Sequence, residues 1–251
     1  MNTKKKALQF MVILSPVVLI ACLLVTKYAF TILAEDLQEQ ILQTVGYNLY
    51  LIAGTLQSFI IALLCSFFGY ILAEKTNLLK PFYVEKDKLL TTIYITVIGG
   101  IVFSLDYWTF GKVIEGLQEL SKLATPLYAT IAAVLYGGIV EELLLRLFFM
   151  SLIVFCMWKM FYKKVEKEEI PMWVYVFANV FAALVFAVGH LPATIAAFGE
   201  LTPLLFIRCM LLNGVFGVVF GWFYHKYGLQ YAIISHAGFH IVSKIIWWIF
   251  I

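Results

Sequence analysis

Seven long apolar runs, separated by short polar turns, order this chain from end to end. A membrane-crossing helix needs about 20 mostly apolar residues. The stretches that qualify are Leu8–Phe30, Tyr47–Ala73, Leu89–Leu105, Pro126–Trp158, Met172–Phe198, Pro203–Tyr224 and Leu229–Ile251. The third is short for a span and the fourth is too long to cross without tilting. Between them, Tyr107–Leu123 sets Leu117, Leu120 and Leu123 among Lys112, Glu115, Glu119 and Lys122. That pattern is amphipathic and fits either an eighth helix or a segment lying in the interface plane. The expected fold is all-α: a polytopic transmembrane helical bundle of seven spans, with the eighth left open.

Composition supports this. Hydrophobic residues make up 63% of the 251 and charged residues 13%. Soluble domains carry roughly 45–50% apolar and about 25% charged residues. Little remains for a soluble domain, and one domain covering 1–251 is the expectation. The net charge of +3 is small; its distribution says more, because lysines set membrane orientation. Lys4, Lys5 and Lys6 precede the first run, and Glu35, Asp36 and Glu39 follow it. Lys75, Lys80, Lys86 and Lys88 follow the second; Lys159, Lys163, Lys164 and Lys167 follow the fourth. The alternation predicts a cytoplasmic N-terminus and a C-terminus on the far side of a cell membrane. The first run, Leu8 to Leu33, is too long for the apolar core of a signal peptide and reads as a retained span. No basic tract with interleaved aromatics points to nucleic acid. Cys22, Cys65, Cys156 and Cys209 all sit in apolar runs without metal-type spacing, so no disulfide is expected.

One stretch breaks the apolar pattern. Glu141, Glu142 and Arg146 lie inside the fourth run. Ionisable groups within a span are costly and usually face a bundle interior or a watery cavity. On a helix, neighbours point about 100° apart, so Glu141 and Glu142 face different ways. Glu142 and Arg146 are four apart with the carboxylate first, the favourable order for an ion pair. Their pairing leaves Glu141 free to act as a general base.

Three of the four histidines, His190, His236 and His240, also lie inside apolar runs. His236 and His240 are four apart and share a helix face. His225 is at a membrane edge and reads as interfacial. The turn between the fourth and fifth runs centres near Val165. Glu141 lies 24 residues before it and His190 25 after it, so an antiparallel hairpin sets the two at one level. His236, a few residues into its own run, should lie nearer the cytoplasmic surface unless the fourth and fifth helices extend beyond the membrane. Gly214, Gly217 and Gly221 form a small-residue stripe suited to close helix packing, as do Gly137 and Gly138.

Glu141-Glu142-xxx-Arg146, Phe186-xxx-His190 and His236-xxx-His240, in that order within apolar runs, resemble the motifs of the CAAX-protease and bacteriocin-processing family of intramembrane proteases, also called CPBP or Abi. The resemblance covers about Pro126–Ile251. It implies that Glu141 and His190 activate the attacking water, that His236 and the residue at 240 stabilise the oxyanion, and that Glu142 and Arg146 support them. Position 240 is His where the family commonly has Asn; a neutral imidazole N–H can still donate. Leu145 and Leu147 flank Arg146 where an aromatic residue and Gly are common.

Glu141, His190, His236 and His240 are also of the types that bind zinc, and the family has been described both with and without a metal. A metal-free mechanism is the preferred expectation. Ligation by all four would leave no separate base except Glu142, which is assigned to Arg146. The resemblance implies endopeptidase action on a membrane-associated peptide or protein: CAAX processing, or maturation of a bacteriocin or signalling peptide. The compact chain suits a prokaryotic member. The alternative is a non-catalytic immunity or sensor-regulating partner on the same scaffold. A transporter fits less well, because no repeated half or paired broken helices are visible.

Overall fold

The computed structural model describes residues 2–122 and 126–251, and within these the chain is helical with no strand. The first helices are α1 (Thr3–Thr31), the short polar α2 (Glu35–Thr44), α3 (Tyr47–Lys75) and α4 (Lys86–Ser104). They are followed by α5 (Leu117–Lys122), α6 (Leu127–Ala132), α7 (Ser151–Phe161), α8 (Met172–Gly189), α9 (Leu191–Phe198), α10 (Pro203–Cys209), α11 (Phe216–Lys226) and α12 (Leu229–Phe250). Between α6 and α7 the backbone continues as π-helix over Ala133–Glu141 and Leu143–Met150. A further π-helical piece, Met210–Val215, joins α10 to α11.

Among the described residues, six helices are long and apolar enough to cross a membrane: Thr3–Thr31, Tyr47–Lys75, Lys86–Lys112, Met172–Phe198, Pro203–Lys226 and Leu229–Phe250. The expected third span is longer than its apolar core suggested, because 3₁₀ turns at Leu105–Tyr107 and Phe110–Lys112 prolong α4. The expected fourth, Pro126–Trp158, is not one regular α-helix. It is a chain of α6, two π segments and α7, and it carries the charged triplet. The fifth bends at its histidine: α8 ends at Gly189, and His190 both closes it and opens α9.

The π-helical rod is central to the packing. Val140, Leu143, Leu147 and Met150 are fully buried there. They join Val18 of α1, Ala62 of α3, Val174 and Ala178 of α8, and Ala232 of α12 in one core. Close approach to this rod needs small residues. A Cβ on Gly69 of α3 would stand 2.9 Å from the Leu147 backbone, and one on Gly138 would stand 2.6 Å from Ala237 Cβ. α8 and α11 run antiparallel, and their contacts step by four: a Cβ on Gly217 would meet Ala183, one on Gly221 would meet Asn179, and His225 lies against Tyr175 at 4.6 Å between ring centroids. The expected glycine stripe therefore packs helices, and His225 is half-buried on a neighbouring ring.

The amphipathic stretch after α4 is folded into two 3₁₀ turns and α5. Ile114 and Leu117 bury against Leu205 of α10, and Leu120 is 40% exposed. Leu123, the last leucine of that pattern, lies outside the described residues. Arg208 of α10 donates to both oxygens of Asp106, with Nε 2.9 Å from Oδ1, and ties this segment to α10. All four cysteines are free thiols.

Candidate active site

The charged triplet is divided between two environments by the turn of the rod. Glu142 and Arg146 are sealed, at 0% and 1% exposure. Their ion pair is present along one face, with Arg146 Nη1 3.4 Å from Glu142 Oε1. Arg146 Nη2 donates to the Gly217 carbonyl at 2.8 Å, and the guanidinium lies over the Phe186 and Phe220 rings at 4.9 and 5.6 Å. A guanidinium in an apolar interior is best held this way, by charge, a carbonyl and aromatic faces together. The brace reaches further than the ion pair. Glu142 Oε1 also lies 2.8 Å from His236 Nδ1, so the first helical motif orients the ring of the last one.

Glu141 points to a wetter side, with 18% of its side chain exposed. One carboxylate oxygen faces each of two histidines: Oε1 is 3.9 Å from His190 Nε2 and Oε2 is 3.7 Å from His236 Nε2. These gaps are too long for direct hydrogen bonds. The gap to His190 is one that a single water, at an ordinary distance of about 2.8 Å from each atom, would bridge. His190 is 35% exposed and His236 5%, so the opening is on the His190 side.

The tautomer of His190 follows from its other nitrogen. Nδ1 lies 2.8 Å from the Phe186 carbonyl, which can only accept, so Nδ1 carries the proton. In the neutral ring Nε2 then presents a lone pair on the side of Glu141. The bend that ends α8 at Gly189 makes this possible. His190 is the C-cap, and the Phe186 carbonyl four residues back is within reach of its ring.

His236 is clamped between polar and aromatic partners. Its ring stacks on Phe220 at 4.2 Å between centroids and on His240 at 5.2 Å, with Phe186 edge-on at 5.8 Å. His240 is half-buried and stacks beside His236. A Cβ added at Gly137 would stand 2.6 Å from His240 Nε2 and 3.3 Å from His236 Nε2. Gly137 thus leaves the space in which both rings lie.

The structure brings Glu141, His190 and His236 together, braces His236 through Glu142 and Arg146, and sets His240 one ring away. Gly137, Phe220 and the Gly217 carbonyl are parts of the site that motif spacing did not single out. The two adjacent glycines did mark the segment.

The anchored Nδ1 atoms of His190 and His236 resemble histidines that bind metal through Nε2, and the donor types suit zinc. Yet among the described residues no group of three or more His, Cys, Asp or Glu side chains is set so as to hold a metal ion. His240, the fourth expected donor, is turned to Gly137. As arranged, the described side chains do not supply the donor set that a bound metal needs.

Residues 123–242 match the family model described as type II CAAX prenyl endopeptidase Rce1-like. The matched region holds Glu141, Glu142, Arg146, His190, His236 and His240. The match spans a little under half of the chain, and over it the chain is similar to the CAAX-protease family of membrane-embedded proteases. No curated protein and no solved structure matches the chain.

Proposed function

We propose that the protein is an intramembrane endopeptidase that hydrolyses a peptide bond in a membrane-associated peptide or protein, with water activated by Glu141 and His190. The observation that carries this reading is the carboxylate of Glu141 set between two imidazole Nε2 atoms at 3.9 and 3.7 Å, on the exposed side of an otherwise sealed charge cluster. Glu141 takes a proton from water while the His190 lone pair holds that water in place. The hydroxide attacks the scissile carbonyl carbon and its π electrons move to oxygen. His236, which faces the other carboxylate oxygen, and His240, stacked beside it, donate N–H to that oxyanion. The intermediate collapses, the C–N bond breaks, and the proton held by Glu141 passes to the leaving amine.

In this role His236 bears a proton on Nε2. Its Nδ1 contact with Glu142 then serves either an imidazolium donating at both nitrogens or a neutral ring accepting from a protonated Glu142. Glu142 is thereby committed to His236 and Arg146, which leaves Glu141 as the base and supports a metal-free mechanism.

The proposed topology has the rod from Leu127 to Phe161 as a seventh crossing in a cell membrane, with the lysine-rich ends cytoplasmic. The substrate is a peptide held at the membrane, of the CAAX, bacteriocin or signalling-peptide kind. The test is incubation of the purified protein with such peptides, with and without chelator, read by mass spectrometry beside Glu141→Gln and His190→Ala. Chelator-insensitive cleavage lost in both variants is expected. Cleavage abolished by chelator and restored by zinc overturns the metal-free part.

A further inference from the structure

Three lysines and two aromatic rings gather at one edge of the bundle, far along the rod from the catalytic cluster. Lys75 is the last residue of α3, Lys159 lies in the last turn of α7, and Lys167 opens the 3₁₀ turn Lys167–Glu169. With Glu74, Phe155 and Trp158 they line a cleft of about 440 Å³.

The cleft is held in shape by the turn that crosses it. Trp158 Nε1–H donates to the Val165 carbonyl at 2.8 Å, and Lys167 Nζ donates to the Glu74 carbonyl at 3.3 Å. The Glu74 carboxylate accepts from the Thr3 hydroxyl, which binds the start of α1 to the same edge.

Lys159 Nζ lies 3.4 Å from the Trp158 ring centroid, and Lys75 Nζ 5.6 Å from that of Phe155. Neither forms an ion pair among the described residues, whereas Lys167 has Glu168 at 3.8 Å. A cation is favoured in the last turn of any helix. That preference explains Lys75 and Lys159 one by one, but not the convergence of three lysines on a cleft lined by aromatic rings. Lys75 and Lys159 lie in the last turns of apolar helices, which on a membrane-spanning reading is where lipid headgroups would meet the bundle.

We propose that this cleft binds the phosphodiester headgroup of an anionic phospholipid, with the phosphate between Lys75 and Lys159 and the glycerol and upper acyl chains against Phe155 and Trp158. Two unpaired cations favour a net-negative headgroup over a zwitterionic one, and basic residues beside a membrane span attract anionic lipid. The site is independent of the protease reading, because its ligand is part of the bilayer.

Native mass spectrometry of the full chain tests this, with phosphatidylglycerol, phosphatidylcholine or inorganic phosphate added at equal concentration. Retention of one phosphatidylglycerol in preference to phosphatidylcholine is expected, weakening as salt rises. Each of Lys75→Gln and Lys159→Gln should weaken it about fivefold. The pair Lys163→Gln and Lys164→Gln, on the same turn but outside the cleft lining, should change it less than either. The unfolding temperature of each variant in detergent identifies any that is merely misfolded, and Lys159→Arg should restore binding. Equal retention of the two lipids, unchanged retention in both cleft variants, or displacement by inorganic phosphate at matched concentration overturns the proposal.

Discussion

His190 Nε2 stands 3.9 Å from Glu141 Oε1 while its Nδ1–H donates to the Phe186 carbonyl. The two side chains come from helical segments joined through a turn near Val165, and they face each other because each lies almost the same distance from it. One nitrogen is fixed as a donor, so the other is left with a lone pair beside a carboxylate. On the proposed mechanism, that pairing is what activates water.

The brace beneath it should be worth more in stability than in chemistry. Removing one partner of a buried ion pair typically costs about 3–5 kcal/mol, because the other charge is left uncompensated. Arg146→Ala should therefore lower the unfolding temperature in detergent markedly. Arg146→Lys should rescue only in part, since an ammonium cannot meet both Glu142 and the Gly217 carbonyl while lying flat between Phe186 and Phe220. An unchanged midpoint for Arg146→Ala would remove the brace from the structural argument.

Gly137 offers a test that leaves every polar group in place. Its added methyl would stand 2.6 Å from His240 Nε2, so the ring must move. Gly137→Ala should reduce turnover by up to about 10²-fold, the scale of a misplacement of about 1 Å, with little loss of folded protein. Gly189→Ala is the matched control next to His190, because nothing lies within 4 Å of the position its Cβ would take. Steady-state turnover of the two variants on one peptide decides this.

Much of this architecture is legible in the chain. Long apolar runs predict the helices, and counting outward from the lysine-rich turn sets Glu141 opposite His190. The π-helical rod is not legible, because its widening depends on which carbonyl each N–H meets, and residues such as Val134 or Leu144 suit an α-helix equally well. The break at His190 is hidden for a similar reason: Phe186 to Ala197 is apolar enough to read as one helix. Contacts between distant positions leave no local pattern either. The Asp106–Arg208 clamp joins residues 102 apart, and Glu142 reaches His236 across 94. Glu142 is legible as the partner of Arg146, and the family resemblance implies that it supports the site; that it does so by meeting His236 Nδ1 is not legible.

His240 is one of the positions at which the chain departs from the motifs it resembles, and this departure can be tested. If its role is to donate a hydrogen bond beside His236, an amide can replace it. His240→Asn should retain turnover within about tenfold, while His240→Ala should lose about 10²–10³-fold, the usual cost of removing one oxyanion donor. Equal loss in the two variants would assign His240 to packing against His236 instead.

The central claim rests on Glu141, and one measurement reaches it directly. Purified wild-type protein and Glu141→Gln, matched for unfolding temperature, are each incubated with a membrane-associated peptide, and the products are read by mass spectrometry. A defined cleavage by wild-type that falls by about 10²–10⁴-fold in Glu141→Gln, the range of a general base, is the expected result. Cleavage that continues undiminished in Glu141→Gln would contradict it.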